Sequence, residues 1–346
     1  MTTRKYLPIL ILTLVTAGYA SRANGQAGGG TLTNEPAGGA AMIFRKPDNP
    51  PVHSGSGGSG AAGGGTISHG GRKPPRPTVS VKEQAIAKAN AARSASTPRY
   101  SEAETQYKIA ASQDPKDARS YAGLGNVYLD QGRFQDAVAS YGEALKIKKD
   151  YVEVYQPLSY ALVQLNRFPE AIDTLKQALE YDKDNAEIYN NLAFAYAHAE
   201  RYEEAIESGQ HAITLLGQTG DAYKQGLQNR NEVLSHAYKN LGNAYNGLKR
   251  YSEAADALKK AVEIEPTNAA AQFNLGLTLY NGKRYSEAIE AYKAVVKLRP
   301  QLAAAHYNLG LTFVAINDKA SAKAEYETLK TLNPNMASQL QVLIRP

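Results

Sequence analysis

Four asparagines, Asn191, Asn240, Asn274 and Asn308, each stand directly before a leucine in sequence that reads as helix. A carboxamide offers one acceptor and two donors, so a row of them can pair with the main chain of an extended peptide whatever its side chains. Covalent chemistry finds less support. The six histidines, His53, His69, His198, His211, His236 and His306, are scattered, and no two have metal-ligand spacing on one helix. The chain has no cysteine, which removes disulfides, thiolate metal sites and a cysteine nucleophile. Glycine is plentiful, but no strand leads into a Gly-rich turn and no GxxxxGK occurs, so nothing cradles a phosphate. Acidic residues sit mainly in Glu-Ala words on solvated helix faces. No catalytic group, metal site or cofactor is expected.

The elements that would hold such a row follow from a repeat. Leu124, Leu158 and Leu192 are spaced by thirty-four residues, the count breaks once, and Leu241, Leu275 and Leu309 resume it. Ala137, Ala171 and Ala205, then Ala254, Ala288 and Ala322, keep the same time and skip at the same place. One insertion between two repeats produces that double skip, and a period of this length marks a stacked array of helical hairpins. Gly125, Ser159, Ala193, Gly242, Gly276 and Gly310 follow the leucines, where a second helix must come close. Phe134, Phe168, Tyr202, Tyr251 and Tyr285 fill the gap between helices, as core and not as a substrate cage.

Ahead of the array, residues 1–20 read as a signal peptide: Arg4 and Lys5, an apolar run from Leu7 to Val15, and Gly18-Tyr19-Ala20 before the cut. The run is too short to span a bilayer, so an exported, periplasmic or secreted protein without a membrane span is expected. Residues 21–80 hold about half of the glycines, with Pro74 and Pro77 forming a minimal PxxP beside Arg72. Such composition buries too little apolar area to offset its chain entropy and predicts a disordered tether. The formal net charge of +6 lies within these first eighty residues, and residues 81–346 are neutral. A neutral array sets up no field to draw nucleic acid.

From residue 81 onward the residues carry a resemblance. Gln272, Leu275-Gly276, Leu279, Tyr285, Ala288, Tyr292, Val295 and Pro300 match the spacing of the tetratricopeptide repeat family. Six units start near Ala118, Val152, Ala186, Ser235, Ala269 and Ala303, and a weaker one near Gln84, with Asn90 where leucine is expected. The resemblance implies an all-α fold, a right-handed α-solenoid of stacked helix-turn-helix repeats over 81–346. A closing helix is expected over 337–345, with Leu340, Leu343 and Ile344 on the last face. The insertion falls at 220–234. Leucines at 227, 234, 241 and 248 predict that the fourth repeat's first helix begins near Asp221 and projects.

The same resemblance implies a groove lined by the first helices, at the second, fifth, sixth, ninth, twelfth and thirteenth positions of each repeat. The asparagine column occupies the sixth position and is similar to the asparagine ladder in the repeat domain of O-linked N-acetylglucosamine transferases, whose catalytic part has no counterpart here. Lys239, Asn243 and Asn274 also fit three places of the carboxylate-binding set in co-chaperone repeat domains. Ala304 and Asn308 stand where its cations belong, which leaves a weaker polar contact. Phe194, Phe273 and Tyr307 add apolar groove surface, suited to a partner helix or to the chain's own tether folded back. The expected role is a non-catalytic adaptor for peptide or helical segments of other proteins. Two other readings stay open: an accessory subunit of an envelope or glycan-handling enzyme complex, and a scaffold whose copies associate through the insertion.

Overall fold

The computed structural model describes Met42 and residues 46–52, 79–217 and 230–344. The expected signal peptide, the PxxP and residues 220–229 of the insertion lie outside these. Among the described residues all regular structure is helical. Helices α1 (Val81–Arg93), α2 (Tyr100–Gln113), α3 (Ala118–Asp130), α4 (Phe134–Ile147), α5 (Val152–Gln164), α6 (Phe168–Tyr181) and α7 (Ala186–His198) come first. There follow α8 (Tyr202–Gly217), α9 (Arg230–Gly247), α10 (Tyr251–Ile264), α11 (Ala269–Asn281), α12 (Tyr285–Leu298), α13 (Ala303–Ala315), α14 (Lys319–Leu332) and α15 (Pro334–Ile344).

Several of the helices have a start written beside them, and most hairpin turns have a stop. Ser80 Oγ accepts from the Glu83 amide, Asp117 from Arg119 and Asn268 from Ala271, so short polar side chains cap the first helices. After α3, α5, α7, α9, α11 and α13 the turn to the second helix closes on a left-handed residue, Gly132, Asn166, Glu200, Lys249, Lys283 and Asn317, with φ between 58° and 71°; the longer turn after α1 has none. The next amide reaches five residues back, Arg133 to the Tyr128 carbonyl and Arg284 to Leu279, both at 2.8 Å. This closure satisfies carbonyls that the helix end would otherwise leave open.

The described residues form two compact units that divide within α7, between Ile188 and Tyr189. In the N-terminal unit α1 pairs with α2, α3 with α4 and α5 with α6, and each hairpin leans on the next. In the C-terminal unit the pairs are α9 with α10, α11 with α12 and α13 with α14, preceded by α8 and closed by α15. Each unit is thus an all-α stack of the solenoid kind. Close approach needs the small residues: a Cβ on Gly125 would sit 2.5 Å from the Tyr141 ring, and one on Gly276 would sit 2.7 Å from Tyr292. At the far end Leu340 of α15 packs with Tyr307, Leu311 and Leu329 and covers Gly310.

Three expectations shift. The first helix starts at Val81 and not Gln84, and the closing helix spans Pro334–Ile344 in place of 337–345, because Asn333 caps it through the Met336 amide. Helix α9 has 18 residues against 13 in α11 and α13, so it does run ahead of its repeat; the expected start near Asp221 lies outside the described residues. The third correction concerns the tether. Residues 46–52 are seated across α1 and α3, for a reason that composition does not carry: individual hydrogen-bond donors, and not buried apolar area, hold them there.

Candidate peptide-binding groove

Four side chains converge on the main chain of residues 47–51. Asn90 and Arg93 come from α1, Arg119 and Asn126 from α3. Arg93 Nη1 donates to the Pro47 carbonyl at 2.8 Å, Asn126 Nδ2 to Asp48 at 2.9 Å, Asn90 Nδ2 to Pro50 at 2.9 Å and Arg119 Nη1 to Pro51 at 2.7 Å. In these four contacts the groove donates and the segment accepts. That suits a segment whose Pro47, Pro50 and Pro51 have no N–H to place. Fixed φ at three positions also lowers the chain entropy lost on seating. Asn49 adds a side-chain contact, with Oδ1 accepting from Arg93 Nη1 at 2.9 Å and Nδ2 donating to Ser94 Oγ at 2.5 Å. Lys46 Nζ lies 3.2 Å from Asp130. The segment therefore runs antiparallel to both helices, from Asp130 and Arg93 at their C-terminal ends towards Arg119 near the start of α3.

Each donor is held from behind. The Tyr107 hydroxyl donates to Asn90 Oδ1 at 2.5 Å and the Tyr141 hydroxyl to Asn126 Oδ1 at 2.7 Å. With the amide oxygen so engaged, the NH2 must turn towards the segment, which fixes the orientation of both carboxamides. Burial pushes both tyrosine hydroxyls well above their ordinary pKa, so they stay donors. Arg93 is only 3% exposed, and its Nε donates to Asp130 Oδ2 at 2.8 Å. Arg119 is gripped by Glu83 at 2.5 Å and Asp117 at 2.6 Å. Burial alone would raise the Asp117 pKa, but hydrogen bonds from Arg119 and Lys82 outweigh it and hold the carboxyl below its usual range. Beside the segment a cleft of roughly 950 Å³ stays open, walled by Ala118, Ala122, Ile147, Tyr151, Val152 and Pro157 among others.

The residues singled out in the sequence lie in the C-terminal unit, and some of them meet. Asn190 Nδ2 donates to Asn191 Oδ1 at 3.3 Å, and Asn240 Nδ2 reaches Asn190 Oδ1 at 3.0 Å. Asn274 Nδ2 donates to Asn243 Oδ1 at 2.8 Å. The amides thus form two separate groups, Asn191–Asn190–Asn240 and Asn243–Asn274, and all but Asn243 are buried. Asn308 packs among Leu277, Tyr280, Tyr292 and Leu311. Lys239 is fully buried beside His236, whose pKa falls to about 3 through burial and then the lysine charge. Phe194 lies against the His198 ring at 4.3 Å, Phe273 stands edge-on to Tyr292 at 5.7 Å, and Tyr307 joins the core under α15. Among the described residues no cluster of His, Asp and Glu could hold a metal ion, and no helix is long and apolar enough to cross a membrane.

Profiles of the TPR repeat match residues 125–158 and 160–199, and profiles of the tetratricopeptide repeat match 184–267, 239–303 and 273–337. Together they cover more than half of the sequence. The chain belongs to the tetratricopeptide repeat family. No curated protein sequence is significantly similar to it. Among solved structures it resembles a tetratricopeptide repeat protein of Parabacteroides merdae, with TM-score 0.56 and 15% identity over 76% of this chain and 98% of that one. PilF of Pseudomonas aeruginosa has TM-score 0.51 and 21% identity, over 66% and 98%. At such identities the likeness is one of fold.

In tetratricopeptide terms Arg119, Asn126 and Asp130 hold the second, ninth and thirteenth places of the repeat that starts at Ala118. The sequence reading passed over them because it followed the sixth place. Asn90 was harder to find, since the regular count put it where a leucine belongs. Asn126 precedes its tyrosine by 15 residues, whereas Asn90 precedes Tyr107 by 17. The turn after α1, residues 94–99 against 131–133 after α3, is three residues longer, and Asn90 lies one residue nearer the end of its helix than Asn126, which together give the difference of two. Asn90 is therefore the counterpart of Asn126 and not a decayed core position. An asparagine some fifteen residues ahead of a second-helix tyrosine was the available signal.

Proposed function

We propose that this protein is an exported, non-catalytic adaptor that holds extended segments of partner proteins along the first-helix faces of its repeats. The observation that carries the reading is the seat of residues 46–52, where four groove side chains donate to four main-chain carbonyls of an extended chain. A surface built that way reads the backbone of its ligand more than the side chains. Membership of a family of binding repeats agrees with it. In the C-terminal unit the second proposed surface centres on Asn243, the one amide of the set that is not buried, with Asn274 bonded to it; Asn191, Asn240 and Asn308, with Lys239, Phe194, Phe273 and Tyr307, are buried. The bond between Asn274 and Asn243 can be exchanged for a bond to a ligand backbone at small net change in free energy.

An array of synthetic extended peptides probed with the full chain tests the reading. The natural chain is expected to bind a subset, and the combined variant Asn240→Ala, Asn243→Ala and Asn274→Ala to lose part of that subset while its helical circular dichroism is retained. A natural chain that binds no peptide refutes the adaptor; an unchanged subset in the variant removes the C-terminal surface.

A further inference from the structure

We propose that residues 46–52 are a built-in occupant of the α1–α3 groove, standing in for an extended, proline-containing partner segment that also carries large apolar side chains. The inference deepens the adaptor reading and rests on it. Three observations lead there. The first is chemical fit: the groove offers donors, and the segment answers with carbonyls at positions flanked by prolines. A ligand of ordinary composition would bring N–H groups that these four contacts leave without acceptors, so the groove selects for proline.

The second is proximity. Arg119 contacts the Pro51 carbonyl at 2.7 Å with Nη1 and Glu83 at 2.5 Å with Nη2, and Glu83 lies three residues after Ser80, which caps α1. The end of the segment thus lies close to the start of the first helix, while residues 53–78 join the two. Because the occupant belongs to the same chain, its local concentration is on the order of millimolar, enough to keep weak ligands out.

The third is what the segment leaves unfilled. The adjacent cleft has an apolar part, Ala118, Ala122, Ile147, Tyr151, Val152 and Pro157, rimmed by charged side chains such as Lys116, Lys148 and Glu153, yet the occupant lining its other side, residues 46–51, brings no large apolar side chain. A partner with the same backbone chemistry and a leucine or phenylalanine for that cleft gains burial which the internal segment cannot match, and displaces it.

The test uses the full chain, a fluorescein-labelled peptide with the sequence of residues 46–52, and a sibling peptide with leucine in place of Asp48. In the variant Lys46→Ala with Asn49→Ala the internal segment loses its ion pair and its side-chain bonds, so the labelled peptide should bind about tenfold tighter than to the natural chain. Adding Asn126→Ala to that variant should abolish binding, and the leucine peptide should bind a few-fold tighter than its parent. Equal affinity for natural and variant chains overturns the proposal, as does failure of the peptide to bind either. A natural chain whose mass doubles with concentration, and a variant whose mass does not, would place the segment in a second copy and overturn closure within one chain. A chain that captures array peptides but ignores this one leaves the adaptor standing and ends the inference.

Discussion

Replacing Tyr141 by Phe removes one oxygen atom and tests how the groove is held. The hydroxyl donates to Asn126 Oδ1 at 2.7 Å within buried surroundings, and Asn126 Nδ2 in turn donates to the Asp48 carbonyl. Phenylalanine leaves that amide oxygen buried without its donor, which costs about 1–3 kcal/mol. The carboxamide is also freed to rotate, so the contact to residue 48 weakens with it. Repeat arrays need not unfold in one step, so the assay is native hydrogen exchange read helix by helix. A loss of about 2 kcal/mol corresponds to roughly thirty-fold faster exchange in α3 and α4. The control is Tyr292→Phe in α12, where the ninth position holds Leu277 in place of the asparagine; a change within about 0.5 kcal/mol is expected there. Exchange in α3 and α4 that stays within twofold of the natural chain after Tyr141→Phe would refute the claim that the tyrosine sets the asparagine.

Other perturbations follow from the same contacts. Asp130→Asn strips the buried Arg93 of its counter-ion and should lower stability by about 3 kcal/mol in denaturant titration, because the guanidinium stays charged inside. Lys283→Gly relieves a left-handed non-glycine residue at φ 60° and should raise the melting temperature, gaining about 1 kcal/mol; a fall would mean that the lysine side chain contributes more than its backbone loses. His236 has a folded pKa of about 3, below its ordinary value near 6.5, so the unfolded chain takes up the proton first and stability falls as pH drops below about 6.5. Between pH 8 and pH 5 the loss should be about 2 kcal/mol, and His236→Leu should flatten that part of the profile.

The stack was readable because its signal is repetitive. Predicted starts at Ala118, Val152, Ala186, Ala269 and Ala303 are the first residues of α3, α5, α7, α11 and α13, and Phe134, Phe168, Tyr202, Tyr251 and Tyr285 each open a second helix. Spacing reports which residues must be small or aromatic for helices to meet, and meeting is what recurs. The groove contacts do not recur. Asn126, Arg119 and Arg93 act once each, and polar groove residues are free to differ from repeat to repeat. Residues 46–52 were assigned to a tether because composition counts apolar area, whereas their seat depends on acceptors aligned with particular donors. The asparagine column shows the opposite limit. Its existence was plain, but that Asn274 bonds to Asn243, and Asn240 to Asn190, depends on side-chain directions that spacing alone leaves open.

A pile of like parts has no intrinsic reason to stop, and here the stopping device is Leu340. Over Gly125 and Gly276 the covering side chain comes from the repeat's own second helix, but over Gly310 it is Leu340, borrowed from α15. That helix has 11 residues and turns a surface meant for another hairpin into a finished face. A chain cut before Pro334 would present Leu311, Leu329 and Tyr307 to water, and two such chains would have matching bare ends to press together. Burial of that last face thus hangs on the shortest of the described helices.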